Sequence, residues 1–303
     1  MKKTLMACLL PLFLLTGCTN RHDPAEDTSN GPVTTPDELT DAEKELLMIQ
    51  GCIEDYNTGR IAEREEYYQM VIPPMPLELE QLPEVNSLND LKTETIDSAQ
   101  SNITYAGSIR AGERYDVLFI IYKPTVNGFW LHGNIEFRVN PDDITVNDPQ
   151  FADSRAALAP LLNGADDILN RLYGIDVAFD ETTEDENGYC LCTDSAYPTI
   201  DSLKAAAERI YTKEFLETAY YPSAFEGEFP VYKEEDGRLY MLPSELVRRE
   251  GLTYHPEYMI AAAEEGDELR IDLLASEYGE LQPVVYRLIL QKTEDGYRLP
   301  AAL

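Results

Sequence analysis

The chain has 303 residues, 56 acidic and 24 basic, and a formal charge of −32 at neutral pH. Such an acidic excess argues against nucleic acid, whose binding depends on neutralising phosphates with Lys and Arg, and against docking on anionic lipid headgroups; basic partners are favoured. A hydrophobic content of 44% with 10% aromatics is enough for a packed core and excludes disorder throughout.

Met1-Lys2-Lys3 precedes an apolar run over residues 5–15, followed by Thr16-Gly17-Cys18. A positive start, a short apolar segment and small residues before a cut site read as an export signal over residues 1–17. The run is too short to span a bilayer, which needs about 20 residues. Leu15-Thr16-Gly17-Cys18 resembles the lipobox of bacterial lipoproteins. That resemblance implies cleavage before Cys18 and a diacylglycerol on its thiol. The rest of the chain would then lie on the extracytoplasmic face of a bacterial membrane, held by lipid. Cleavage removes Lys2 and Lys3 and no acid, taking the formal charge from −32 to −34. Residues 18–39 are polar and rich in Asn, Asp, Pro, Thr and Ser, a flexible tether with a reach of roughly 25 Å.

Thr40-Asp41-Ala42-Glu43 has the form of a capping box, and Leu46, Ile49, Ile53 and Tyr56 follow at helical spacing. Residues 60–71 resume a helix until Pro73-Pro74 stops it. Residues 73–100 carry prolines and acids with little period and read as a long connection. Strands are expected over 103–109 and 115–122, the second an apolar run suited to burial on both faces. Asn127-Gly128 is a hairpin turn signal, and residues 129–139 return as a strand. A second helix is expected over 153–173, with Gly174 as its natural end. Next come an acidic loop over 180–188 and a short strand from Tyr189. Helices are expected over 200–211 and 212–220. Residues 229–242 form a hairpin at Asp236-Gly237, 268–277 meets 281–292 across Tyr278-Gly279-Glu280, and Asp295-Gly296 makes the last turn. Helices followed by antiparallel sheet define an α+β fold, set out as two helix-then-sheet units, 40–150 and 153–303.

No nucleophile elbow, Gly-rich phosphate loop or His-Glu-x-x-His occurs, so the sequence implies neither catalysis nor a cofactor. Thr183-Glu184-Asp185-Glu186-Asn187-Gly188, with Asp194 twelfth, fits a calcium loop in part; its first position is Thr and its twelfth is Asp, and a solvated acidic hairpin is the better reading. Cys190 and Cys192 share one face of a strand, but zinc needs about four ligands and the three histidines are scattered, so buried core cysteines, and no metal, are expected. Tyr254-His255-Pro256 reads as a loop and Leu131-His132-Gly133 as a strand position, with both histidines structural. Trp130 and the tyrosines, among them Tyr105, Tyr115, Tyr122, Tyr232, Tyr240 and Tyr286, offer rings to stack on sugars, though aromatics are common in strands.

The run from Tyr197 to Thr212, the helix after it, and Val231-Tyr232-Lys233-Glu234-Glu235-Asp236-Gly237-Arg238-Leu239-Tyr240 resemble the IseA family, secreted bacterial inhibitors of the DL-endopeptidases that cut peptidoglycan stem peptides. The resemblance covers residues 153–303 and carries over no contact residue. It implies a non-catalytic cell-envelope protein that binds a cell-wall hydrolase. A sheet carrying the acidic residues Asp180, Glu181, Glu184, Asp185 and Glu186 would block the substrate groove. A peptide- or glycan-binding module using the tyrosines is the second expectation. An enzyme with His132 or His255 set against a buried carboxylate is the third.

Overall fold

The structure, a computed structural model, describes residues 39–61, 73–95, 103–122, 132–244 and 251–303. The export signal, Cys18, the tether before residue 39, the helix expected to continue beyond 61, the Asn127-Gly128 turn, Trp130 and the His132 side chain lie outside the described residues.

The first helix, α1 (Asp41–Asn57), begins with the expected capping box: the Thr40 amide donates to Glu43 Oε2 at 2.8 Å and the Glu43 amide to Thr40 Oγ1 at 3.3 Å. Ile49, Cys52, Ile53 and Tyr56 are its buried stripe. Ile49, Ile53 and Tyr56 pack on an antiparallel sheet of β1 (Lys92–Thr93), β2 (Ile103–Ala111), β3 (Tyr115–Tyr122) and β4 (His132–Val139), in that order. Along β3 both faces are covered: Val117, Phe119 and Ile121 face the α1 core, while Leu118 and Ile120 are also buried. That is why this strand reads as a continuous apolar run rather than an alternation.

A second helix, α2 (Ala152–Leu172), carries Pro160 and buries Leu158, Leu161, Ala165, Ile168, Leu169 and Leu172. It ends where Gly174 takes a φ of +72°, the left-handed conformation that glycine supplies at helix ends. Two short helices follow, α3 (Ile200–Ala207) and α4 (Lys213–Ala219), the latter capped by Thr212 as expected. The helix expected over 200–211 stops early. Tyr211 leaves it to bridge Leu299, tying α3 to the end of the chain.

Two further sheets complete the fold. One orders β5 (Phe179–Asp180), β6 (Cys190–Cys192), β8 (Arg238–Met241) and β7 (Tyr232–Glu235). The other is built on β10 (Glu268–Glu277). On one side it pairs with β9 (Thr253–Glu265), on the other with β11 (Glu280–Leu281) and β12 (Tyr286–Thr293), and β13 (Gly296–Arg298) adds to β12. All the strand pairs among the described residues are antiparallel, so the fold is α+β.

One expectation is corrected. Tyr254-His255-Pro256 is not a loop but the start of β9, the longest strand described. Its pairing with β10 jumps from Leu273↔Met259 to Leu274↔His255, leaving 256–258 as a bulge. The extra residues and Pro256 break the two-residue period by which a strand is recognised.

Residues 40–303 make one compact unit, and the chemistry of the join is explicit. The Val139 amide donates to the Pro283 carbonyl and the Val285 amide to Phe137, each at 2.8 Å, extending β4 with the segment before β12. Ile260, Leu274 and Val285, from the C-terminal half, lie in the same core as α1 and β3. Asp272 on β10 is 1% exposed and takes a two-pronged ion pair from Arg287 on β12, at 2.7 and 2.9 Å. The same two side chains reach the connection before β1: the Leu77 amide donates to Asp272 Oδ2 at 2.7 Å, and Arg287 Nη2 to the Met75 carbonyl at 2.9 Å.

Candidate interaction surface

The acidic segment 180–188 is a folded element, because two of its carboxylates are spent on holding it. Asp180 accepts from the Thr182 amide and hydroxyl at 3.0 and 2.7 Å, and these bonds hold its carboxyl below the usual range. Thr183 Oγ donates to the Asp180 carbonyl and accepts from the Leu191 amide, stitching the turn to β6. Asp185 Oδ1 accepts from the Asn187 and Tyr189 amides at 2.8 and 3.0 Å. Its Oδ2 accepts from Lys233 Nζ at 2.8 Å. The lysine bond first, then the backbone bonds, pull the Asp185 carboxyl down to about 2.

Lys233 on β7 is the brace. Its ammonium bonds both Asp185 and Glu235 at 2.8 Å and lies 4.5 Å from the centre of the Tyr189 ring, a cation–π contact. Those hydrogen bonds, Asp185 first, push its pKa up. Tyr189 is buried and donates its hydroxyl to the Pro230 carbonyl at 2.7 Å. The hairpin is thus fixed to the β7–β8 sheet by a charge, a ring and a hydroxyl.

Of the five acidic residues singled out in the sequence, Asp180 and Asp185 therefore act as structural groups, held by hydrogen bonds at the surface. Glu181, Glu184 and Glu186 are exposed and take part in no ion pair among the described residues. The partial calcium loop is occupied from within: Asp185 is held by Lys233, and Asp194 by Arg171. Among the described residues no group of three or more His, Cys, Asp or Glu could hold a metal ion.

Cys52 and Cys190 are buried and Cys192 is half-buried. Burial, and after it the nearby Asp194, pushes Cys192 up to about 12; burial likewise raises Cys190. Tyr115 and Tyr232 are buried in two different cores, so the strand tyrosines named in the sequence do not share one sugar-binding face.

His255 sits in the β9 bulge between Glu257, 3.1 Å from Nδ1, and Ser276 Oγ, 2.9 Å from Nε2. A ring with Nδ1–H toward the carboxylate satisfies both partners, Nε2 then accepting from the hydroxyl. The order of groups is that of an activated serine. However, Ser276 is 6% exposed and paired on both sides, with Thr253 and Leu281. Glu257 is 39% exposed rather than buried. The trio fastens the bulge to β10; sequence reasoning missed it because strand and partner lie 21 residues apart.

The outer face of the first sheet holds a shallow cleft of about 300 Å³. Lys92, Ser108 and Leu118 occupy successive strands in one row, with Asp116 and Arg138 paired in the next. Glu94 accepts from both Ser108, at 2.7 Å, and Lys92, at 2.9 Å. The Ser108 bond, then Lys92, lowers its pKa. The cleft is zwitterionic in a chain that is otherwise strongly acidic.

A scan against protein-family models finds no match for this chain, and a search of curated proteins finds none.

Proposed function

We propose that this chain is a lipid-anchored cell-envelope protein without catalysis that binds another protein, restraining a peptidoglycan DL-endopeptidase. The supporting observation is the braced acidic hairpin. A blocking element must be rigid before it meets its target, since ordering a loop on binding weakens affinity. Here Asp185, Lys233 and Tyr189 supply that rigidity within the free protein. They leave Glu181, Glu184 and Glu186 directed at solvent, where they complement a basic rim and speed association with it. The lipobox resemblance of Leu15–Cys18 supplies the envelope address, and the IseA resemblance of 153–303 supplies the target class.

The test is inhibition of peptidoglycan lysis by purified DL-endopeptidases from the same cells, using the mature chain and the triple variant Glu181→Gln, Glu184→Gln, Glu186→Gln. Inhibition by the native chain, weakened at least tenfold in the variant and by raised salt, is expected. No binding to any wall hydrolase and unchanged lysis would overturn the reading.

The cleft over Ser108 favours a second reading, a module for short zwitterionic peptides. Its volume is at the lower end of small-molecule sites. Binding of an uncapped tripeptide, lost on N-acetylation and C-amidation and in Arg138→Ala, would support it over the first.

A further inference from the structure

Four non-glycine residues take positive φ among those described: Asn147, Asp176, Asp236 and Tyr278, at 58°, 57°, 50° and 50°. Three are Asn or Asp, whose short polar side chains tolerate the left-handed region. The fourth is an aromatic, for which the same conformation is strained. Tyr278 is also the most exposed of the large hydrophobic residues described, at 78%, so no packing within the fold rewards that strain.

The molecule contains its own control. The β7–β8 hairpin turns through Asp236-Gly237 with φ values of 50° and 71°; the β10–β11 hairpin turns through Tyr278-Gly279 with 50° and 82°. Both are two-residue turns of the mirror-image type, which favours Asn or Asp followed by Gly. One hairpin follows that preference. The other sets a tyrosine at its tip, between the exposed Glu277 and Glu280, neither of them in an ion pair among the described residues.

The geometry points to Tyr278 as a docking anchor: an aromatic knob that enters an apolar slot, rimmed by Lys or Arg, on a protein partner. Exposed aromatics held by a short, well-defined turn lose little entropy on binding and dominate interface energetics. The two flanking carboxylates set the sign of the rim. A convex tip with one ring fits a cavity in a protein, whereas stacking on a glycan needs a broader aromatic face. The inference rests on the reading that the chain works by binding another protein, but not on that protein being a wall hydrolase.

The test places the photoreactive residue p-benzoylphenylalanine at position 278 of the full chain in the cells that make it, and at position 236 as the matched control. A protein adduct formed at 278 and absent at 236 is then identified and purified. Its affinity is measured for the native chain, Tyr278→Asn, and Glu277→Lys with Glu280→Lys. We expect Tyr278→Asn to weaken binding roughly ten- to thirtyfold while raising Tm by about 2–4 °C through relief of backbone strain. We expect the charge reversal to weaken binding as well. The opposite signs matter, because a purely structural tyrosine would move stability and binding down together. No protein adduct above the control, an adduct with glycan alone, unchanged affinity in Tyr278→Asn, or a lowered Tm would overturn the assignment. An adduct with a protein that is not a wall hydrolase would overturn the endopeptidase reading and leave the anchor standing.

Discussion

Replacing Asp272 with Ala should unsettle both halves of the fold from one position. Asp272 is 1% exposed, its partner Arg287 has a side chain 10% exposed, and the two are joined by bonds of 2.7 and 2.9 Å. Removing one member of such a pair leaves a buried charge without compensation, which costs about 3–5 kcal/mol. The Leu77 amide also loses its acceptor, and an orphaned donor costs about 1–3 kcal/mol. The two losses share one carboxylate and do not add, so about 4 kcal/mol is the working figure. In a unit of this size that corresponds to a fall in Tm of roughly 10 °C. The assay is urea unfolding followed by far-UV circular dichroism. Replacing both partners, Asp272→Leu with Arg287→Met, should recover the part due to the unpaired charge, since desolvation weighs heavily on the pair, while the Leu77 amide and Met75 carbonyl stay without their partners. A loss below about 1 kcal/mol in Asp272→Ala, or a double variant as damaged as the single one, would refute the reasoning.

The Asp185 carboxyl, at about 2 in the folded protein against an ordinary 3.8, is a depressed acid. Its stabilising contribution is therefore present above the ordinary value and lost as pH falls through the folded one, a window of roughly pH 4 to 2. Lys233→Ala removes the leading cause, so the Asp185 titration followed by carbon-13 NMR should move up toward 3.8; an unmoved midpoint would contradict the brace. The Tyr211 hydroxyl is the one buried side-chain polar atom among the described residues with no hydrogen-bond partner. Tyr211→Phe should accordingly leave stability unchanged or raise it by up to about 1 kcal/mol, and a clear loss in urea unfolding would reveal a missed partner. Cys192, raised to about 12, should resist alkylation at pH 8 in the folded protein and react on unfolding; mass-spectrometric mapping of iodoacetamide adducts reads this directly.

What the sequence made legible was local. The Thr40 capping box, the Gly174 helix end, the Thr212 cap and the Asp236-Gly237 turn each depend on residues within about four positions, and each stands as expected. Strand β9 was hidden because its bulge at 256–258 scrambles the alternation that marks a strand. The acidic hairpin was visible as composition, but its rigidity was not. The decisive partner, Lys233, comes 48 residues after Asp185, and nothing in a run of acids says which carboxylates are bonded. The shared core of the two halves was hidden for the same reason: Ile260, Leu274 and Val285 look like ordinary strand residues until the fold brings them beside α1.

The ties from Met75 and Leu77 to Arg287 and Asp272 span 212 and 195 positions in the chain. Such separations raise contact order and slow folding, because loop closure must be met before the contacts reward it. A chain emerging amino end first presents the apolar run 117–121 long before Val285 exists to help enclose it. The core that α1 and β3 share is therefore complete only once the chain has been made as far as Val285. A chain cut before residue 283 would lose Val285 from the core around α1 and both backbone bonds that extend β4.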